Sequence, residues 1–216
     1  MFPAEAYIFD FDGVIADSMS MHQSAWKQAH LDVFGSSLAN IERIAGLDSI
    51  RIAHKLAHEA QKQNSWREFL ARKRELVLGL IDTIALLPGA AEFLDRLRQD
   101  KILHAICTNA TEAFLCRVLG NHNLEVPPHI TVDQVTHPKP HPEPYLEATQ
   151  LLGISPALRS QVIAFEDSRH GLRSAKTAGL YCIGISSMHS KEELTSAGAK
   201  EVYPSLAAAF VEFEKP

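Results

Sequence analysis

Three short apolar runs in this chain end on polar residues, and that arrangement restricts the fold more than any other feature. Tyr7-Ile8-Phe9 leads into Asp10-Phe11-Asp12-Gly13, Ile102 to Cys107 stops at Thr108-Asn109, and Val162 to Phe165 stops at Glu166-Asp167-Ser168. Short apolar runs bounded by turn residues read as buried strands. Amphipathic stretches separate them: Ala90 to Gln99, Ala110 to Gly120, Pro144 to Leu152, and a helix running from Ser168 to Ala178. His129 to Val132, Leu180 to Ile185 and residues 200–203 read as further strands, with helices over 191–198 and 205–213. Strands alternating with helices imply an α/β fold, a parallel sheet with helices on both faces. In such sheets ligands bind beyond the carboxyl ends of the strands. Asp10, Asp12, Thr108, Asn109, Glu166 and Asp167 are therefore expected around one pocket.

One region breaks the alternation. From Ser18 to Asp82 the apolar residues recur at helical spacing, as in Ile50, Ala53, Leu56 and Ala57, and then Trp66, Phe69 and Leu70. Leu87-Pro88-Gly89 is a turn signal that ends this region. The expected organisation is a core made of residues 1–16 and 84–216 and a helical cap made of residues 17–83.

Composition narrows the function classes. A net charge of -5 with no basic stripe argues against a nucleic-acid partner. No apolar stretch approaches the roughly 18 residues of a membrane helix, and Glu5 and Asp10 interrupt what would be a signal sequence. Cys107, Cys116 and Cys182 are odd in number and lack CxxC spacing, which fits reduced thiols and a cytoplasmic location. The eleven histidines are expected to lie scattered rather than in a ligand cluster. A monomer or weak dimer is expected.

The strand ends carry the chemistry. Residues i and i+2 of a strand share a face, so Asp10 and Asp12 point the same way while Phe9 and Phe11 face the apolar side. Two close carboxylates repel unless a cation lies between them or one keeps a proton. Several carboxylates in one pocket suit Mg²⁺, a hard ion that binds through carboxylates and substrate phosphate. Thr108 offers a hydroxyl at the start of a helix, where backbone N–H groups favour an anion. Lys139, stiffened by flanking prolines in His137-Pro138-Lys139-Pro140, offers a positive charge. Together these suit phosphoryl transfer to a carboxylate. Taken singly, each has a plainer use: Thr108-Asn109 and Glu166-Asp167-Ser168 as helix starts, and Lys139 as a solvated surface charge.

In this order, Asp10-x-Asp12-Gly13, Thr108-Asn109, Lys139-Pro140 and Glu166-Asp167 resemble the four motifs of the haloacid dehalogenase superfamily, across essentially the whole chain. The likeness is to the branch of β-phosphoglucomutases and sugar-phosphate phosphatases with a helical cap. It implies a Rossmann-like core and a small phosphorylated metabolite as the binding partner. Asp10 would be the nucleophile forming an aspartyl-phosphate, and Asp12 the general acid and base, with its proton relieving the repulsion. Thr108, Asn109 and Lys139 would hold the phosphoryl group. Asp10, the carbonyl of Asp12, Glu166 and Asp167 would hold Mg²⁺. In the cap, Ser18 and His22 resemble the hinge and first helix of that branch, and Gly46-Leu47-Asp48-Ser49 its substrate-reading loop. Ser49 stands where the mutase has a phosphate-gripping arginine, with Arg51 two residues on, while Arg74 falls near a lysine the mutase uses. The missing arginine favours a phosphatase. A phosphohexomutase is the alternative, and a non-catalytic member that binds a ligand or partner is a third reading.

Overall fold

A computed structural model describes residues 4–39, 41 and 47–213. Among these residues six parallel strands form one sheet in the order β3-β2-β1-β4-β5-β6. They are β1 (Ala6–Phe9), β2 (His104–Cys107), β3 (His129–Ile130), β4 (Val162–Glu166), β5 (Tyr181–Ile185) and β6 (Glu201–Tyr203). The chain lays β2 and β3 on one side of β1, then returns to lay β4, β5 and β6 on the other. The end of β1 is thus the point where strand order reverses, the place where such sheets bind ligands.

Both faces of β1 are buried, as a strand covered by helices on two sides requires. Tyr7 and Phe9 enter one apolar cluster with Phe93, Phe165 and Phe213, and Ala6 and Ile8 enter the other with Ala164, Leu172 and Tyr145. The Phe9 and Phe165 rings stack with centroids 5.0 Å apart. Six helices cover the sheet: α4 (Ala90–Gln99), α5 (Glu112–Asn121), α6 (Glu143–Leu151), α7 (Arg169–Thr177), α8 (Lys191–Ala197) and α9 (Leu206–Phe213). The third strand is shorter than the apolar run implied. Gln134 Oε1 accepts from the Thr131 N–H at 2.8 Å and turns the chain away from the sheet.

Among the described residues between β1 and α4 lie three further α-helices, α1 (Met19–Phe34), α2 (Ser49–Glu59) and α3 (Trp66–Leu78). Each buries one stripe, and the three stripes share an apolar cluster of their own that includes Trp26, Ile52, Leu56, Phe69 and Leu70. Outgoing and returning segments run side by side. Asp17 N–H donates to the Ala85 carbonyl at 2.9 Å, and Leu87 N–H to the Ile15 carbonyl at 2.8 Å.

Candidate active site

Asp10 follows the last residue of β1, and its N–H donates to the Phe165 carbonyl at 2.9 Å, so the end of β4 positions it directly. Lys139 reaches the same point from the loop before α6. Its Nζ lies 3.0 Å from Asp10 Oδ1, 2.6 Å from Glu166 Oε1, 2.6 Å from the Cys107 carbonyl and 3.3 Å from Tyr145 Oη. With a relative exposure of 2%, this lysine is no solvated surface charge. Burial opposes its protonation, but Asp10 and Glu166 outweigh burial and hold the ammonium charged.

Glu166, wholly buried, also accepts from the Tyr145 hydroxyl at 2.7 Å. Carboxylate oxygens of Asp10, Glu166 and Asp167 all lie within 4.8 Å of one another. Burial and then Glu166 push the Asp10 carboxyl up to about 8, although Lys139 pulls it down. Burial and then Asp10 push Asp167 well above the usual carboxylate range. Three buried carboxylates facing one ammonium carry more negative charge than the site can hold alone. An all-oxygen set of this kind fits a hard divalent cation. Glycines make the room: a Cβ on Gly13, whose φ is +80°, would stand 2.0 Å from Asp167 Oδ2, and one on Gly171 would stand 1.9 Å from Glu166 Oε2.

Asp12 lies outside that cluster. Its Oδ1 accepts from the Ser18 hydroxyl and sits 3.2 Å from His22 Nε2. Behind His22, Lys73 Nζ lies 3.2 Å from Nδ1. Donor logic sets the tautomer: Nδ1 accepts from the lysine, so the neutral ring carries its proton on Nε2, toward Asp12. Burial works to raise the Asp12 carboxyl, but His22, Ser18 and Lys73 outweigh it and hold it below the usual range. Ser18 and His22 thus hold Asp12 as a carboxylate, where the resemblance implied a proton on it. Burial and mutual repulsion raise the Asp10 and Asp167 carboxyls instead, and the Asp12 carboxylate turns toward α1.

Thr108 and Asn109 do not cap α5. Thr111 does, accepting from Phe114 N–H at 3.4 Å. Thr108 Oγ1 accepts from Ala110 N–H at 2.9 Å, which leaves its hydrogen to donate. The Asn109 amide grips the lysine loop at both ends: Oδ1 accepts from Lys139 N–H at 3.0 Å and Nδ2 donates to the Lys139 carbonyl at 3.2 Å. Ser168 caps α7, accepting from Gly171 N–H at 3.0 Å, which leaves Glu166 and Asp167 to the site.

A cavity of about 910 Å³ opens from Asp10, Asp12, Thr108, Asn109 and Lys139 toward α1, α2 and α3. Asp48 caps α2 through Arg51 N–H at 3.0 Å and borders the cavity. Arg51 is exposed and turned back on Asp48, with Nε 3.2 Å from Oδ2, and does not border the cavity. Arg74 borders it but is exposed, and the cation that reaches His22 is its neighbour Lys73. Lys73 was legible as a charge on the buried stripe of α3, in register with Phe69, Leu70 and Val77. Tyr145 likewise sits on the buried stripe of α6 with Ala148, and Ser187, which donates to Asp167 Oδ2 at 3.2 Å, carries no comparable signal. Gly46 lies outside the described residues. The histidines are not all scattered: His137 and His141, four apart in sequence, meet Glu143 on the outer side of the lysine loop.

The family described as haloacid dehalogenase-like hydrolase matches residues 7–185. The chain belongs to the haloacid dehalogenase-like hydrolases. This hydrolase is 30% identical to the β-phosphoglucomutase of Bacillus subtilis over 84% of its own length and 83% of that protein's. It is 28% identical to a phosphorylated carbohydrates phosphatase of Thermotoga maritima, over 90% and 92% of the two chains. A hydrolase from Pseudomonas syringae superimposes with a TM-score of 0.86 at 25% identity, covering 97% of this chain and 98% of that one.

Proposed function

We propose that this hydrolase is a Mg²⁺-dependent phosphatase of a small phosphorylated metabolite, of the sugar-phosphate class, working through an aspartyl-phosphate on Asp10. The observation that carries the reading is the placement of Asp10 between the Lys139 ammonium at 3.0 Å and the mouth of the cavity. A carboxylate attacking phosphorus needs positive charge beside it, because both partners are anionic. Lys139 supplies that charge, and the Thr108 hydroxyl and the backbone of Asn109 would hold phosphoryl oxygens. Asp10, Glu166 and Asp167, with the carbonyl of Asp12, would hold the Mg²⁺, which screens the charge on the carboxylates and the phosphoryl oxygens when bound.

Asp12 handles the proton. A phosphoryl dianion arriving beside Asp12 raises its carboxyl, so protonation of Asp12 accompanies substrate binding. The Asp12 proton passes to the leaving alkoxide as the P–O bond breaks and Asp10 takes the phosphoryl group. The resulting Asp12 carboxylate then takes a proton from water as that water attacks the aspartyl-phosphate, releasing phosphate and restoring both residues. His22 and Ser18 orient Asp12 throughout. We also propose that residues 17–83 act as a cap that selects the leaving group.

The second reading is a phosphohexomutase, favoured by the likeness to the B. subtilis mutase and by the Lys73–His22–Asp12 chain. Ser49 and the outward Arg51 leave no arginine clamp among the described residues of α2. A panel of phosphorylated metabolites, assayed for phosphate with and without Mg²⁺, tests the reading. Release that needs Mg²⁺ and vanishes in Asp10→Asn is expected. Undiminished release in that variant would overturn it, and conversion of β-glucose 1-phosphate to glucose 6-phosphate without free phosphate would establish the mutase.

A further inference from the structure

His137-Pro138-Lys139-Pro140-His141-Pro142-Glu143 presents Lys139 inward and three potential ligands outward. His137 Nδ1 stands 2.7 Å from Glu143 Oε2, and His141 Nδ1 stands 3.8 Å from the same oxygen. The imidazole centroids are 4.7 Å apart, and one donor atom from each of the three residues falls within 4.8 Å of the others. We propose that His137, His141 and Glu143 form a surface site for a borderline divalent cation of the Zn²⁺ class.

Three features favour this over a chance encounter of polar groups. The carboxylate is fixed by backbone, since Oε1 accepts from Thr136 N–H at 2.7 Å and Oε2 from His137 N–H at 3.1 Å. The His141 tautomer is also set: the Glu143 N–H donates to Nδ1 at 3.2 Å, so the ring proton lies on Nε2, and a cation at Nδ1 would take over the lone pair now directed at that N–H. Prolines at 138, 140 and 142 restrict the backbone between the ligands, so little ordering is left for the ion to impose. Donors in a tetrahedral zinc site stand about 3.3 Å apart. Small ring rotations reach that spacing from the present one, with the cation replacing the proton shared by His137 Nδ1 and Glu143 Oε2.

Donor chemistry separates this site from the carboxylate cluster inside. Two imidazoles and one carboxylate suit Zn²⁺, Co²⁺ or Ni²⁺, whereas three buried carboxylates suit Mg²⁺. The histidine side chains are 58% and 48% exposed, which leaves access for the ion and room for water to complete its shell. Occupancy would tie residues 137 and 141 together on either side of Lys139 and steady the loop that delivers it. The site does not depend on the phosphatase reading.

The full chain, stripped of metal and kept in excess Mg²⁺ to fill the oxygen site, is titrated with Zn²⁺ against a chromogenic chelator. One equivalent should bind, with affinity reduced about tenfold or more in His141→Ala and in His137→Ala. Co²⁺ should give visible ligand-field absorption that these variants lose. Both histidines are exposed, and matching metal-free melting curves verify that the variants fold. No Zn²⁺ binding by the wild-type chain, or equal binding by His141→Ala, overturns the site. A failure of phosphate release in the metabolite panel would leave this result untouched.

Discussion

Lys73 carries its charge where water scarcely reaches, with a relative exposure of 5%. Burial pushes its ammonium from 10.5 down to about 8, against the pull of Asp12. At neutral pH the group is charged both folded and unfolded, so the whole cost of charge burial is present there. Between pH 8 and 10.5 the unfolded chain holds the proton and the folded one releases it, so the cost lifts as pH rises. The displacement corresponds to about 3 kcal/mol. Lys73→Met should therefore stabilise the metal-free chain at pH 7 by about 1–3 kcal/mol in urea unfolding. The gain should shrink as pH rises above 8. Substrate turnover should fall at the same time, because His22 loses the donor that fixes its tautomer. A variant that is less stable than wild type at pH 7 would contradict the account. On the proposed mechanism the charge serves the Asp12 proton and not the fold.

Elements show where sequence reading succeeds and where it stops. Strand ends were legible because apolar runs of both-face burial, ending on polar residues, have few alternative structures. The caps were less so. Thr108-Asn109 and Thr111 are all plausible helix starts, and only the register of α5 shows that Thr111 does the capping. The consequence is that Asn109 is released to bind the backbone of a loop 30 residues away, a contact no local pattern announces. Asn109→Ala should lower kcat about a hundredfold through displacement of Lys139, with the melting temperature little changed. Asn109→Asp should not rescue it, since the carboxylate keeps the acceptor for Lys139 N–H but lacks the donor for its carbonyl. Full activity in either variant, measured by phosphate release, would show that the lysine loop holds its place without the clamp. The α3 stripe gave the opposite lesson, because a lysine among apolar positions was a signal in plain view.

At the scale of the molecule, the reversal of strand order at β1 concentrates acidic side chains at one point, and the excess charge opposes folding until it is neutralised. Asp10 is shifted from 3.8 up to about 8, so the folded state holds an extra proton across that window and loses stability as pH climbs through it. In chelator, Asp10→Asn should match the wild type near pH 4 and exceed it in thermal stability near pH 8. Added Mg²⁺ should narrow the difference, since an ion that binds only the folded state stabilises it by about 2.7 kcal/mol at a hundred times its Kd. Asp167→Asn should lose most of that Mg²⁺ response. Equal stability of Asp10→Asn and wild type at both pH values would mean that the carboxylates do not strain the fold.

Ser18 stands where the chain leaves the core, and His22 and Lys73 belong to α1 and α3, so both side chains bonded to Asp12, and the lysine behind His22, come from the inserted helices and their entry point. An insert displaced from the core would take His22 and Lys73 with it and leave Asp12 with a different proton affinity. On the proposed mechanism, acid strength at Asp12 would thereby be coupled to the position of the inserted helices, as in an interlock. On that mechanism, water entering while those helices are displaced would meet an aspartate without its histidine.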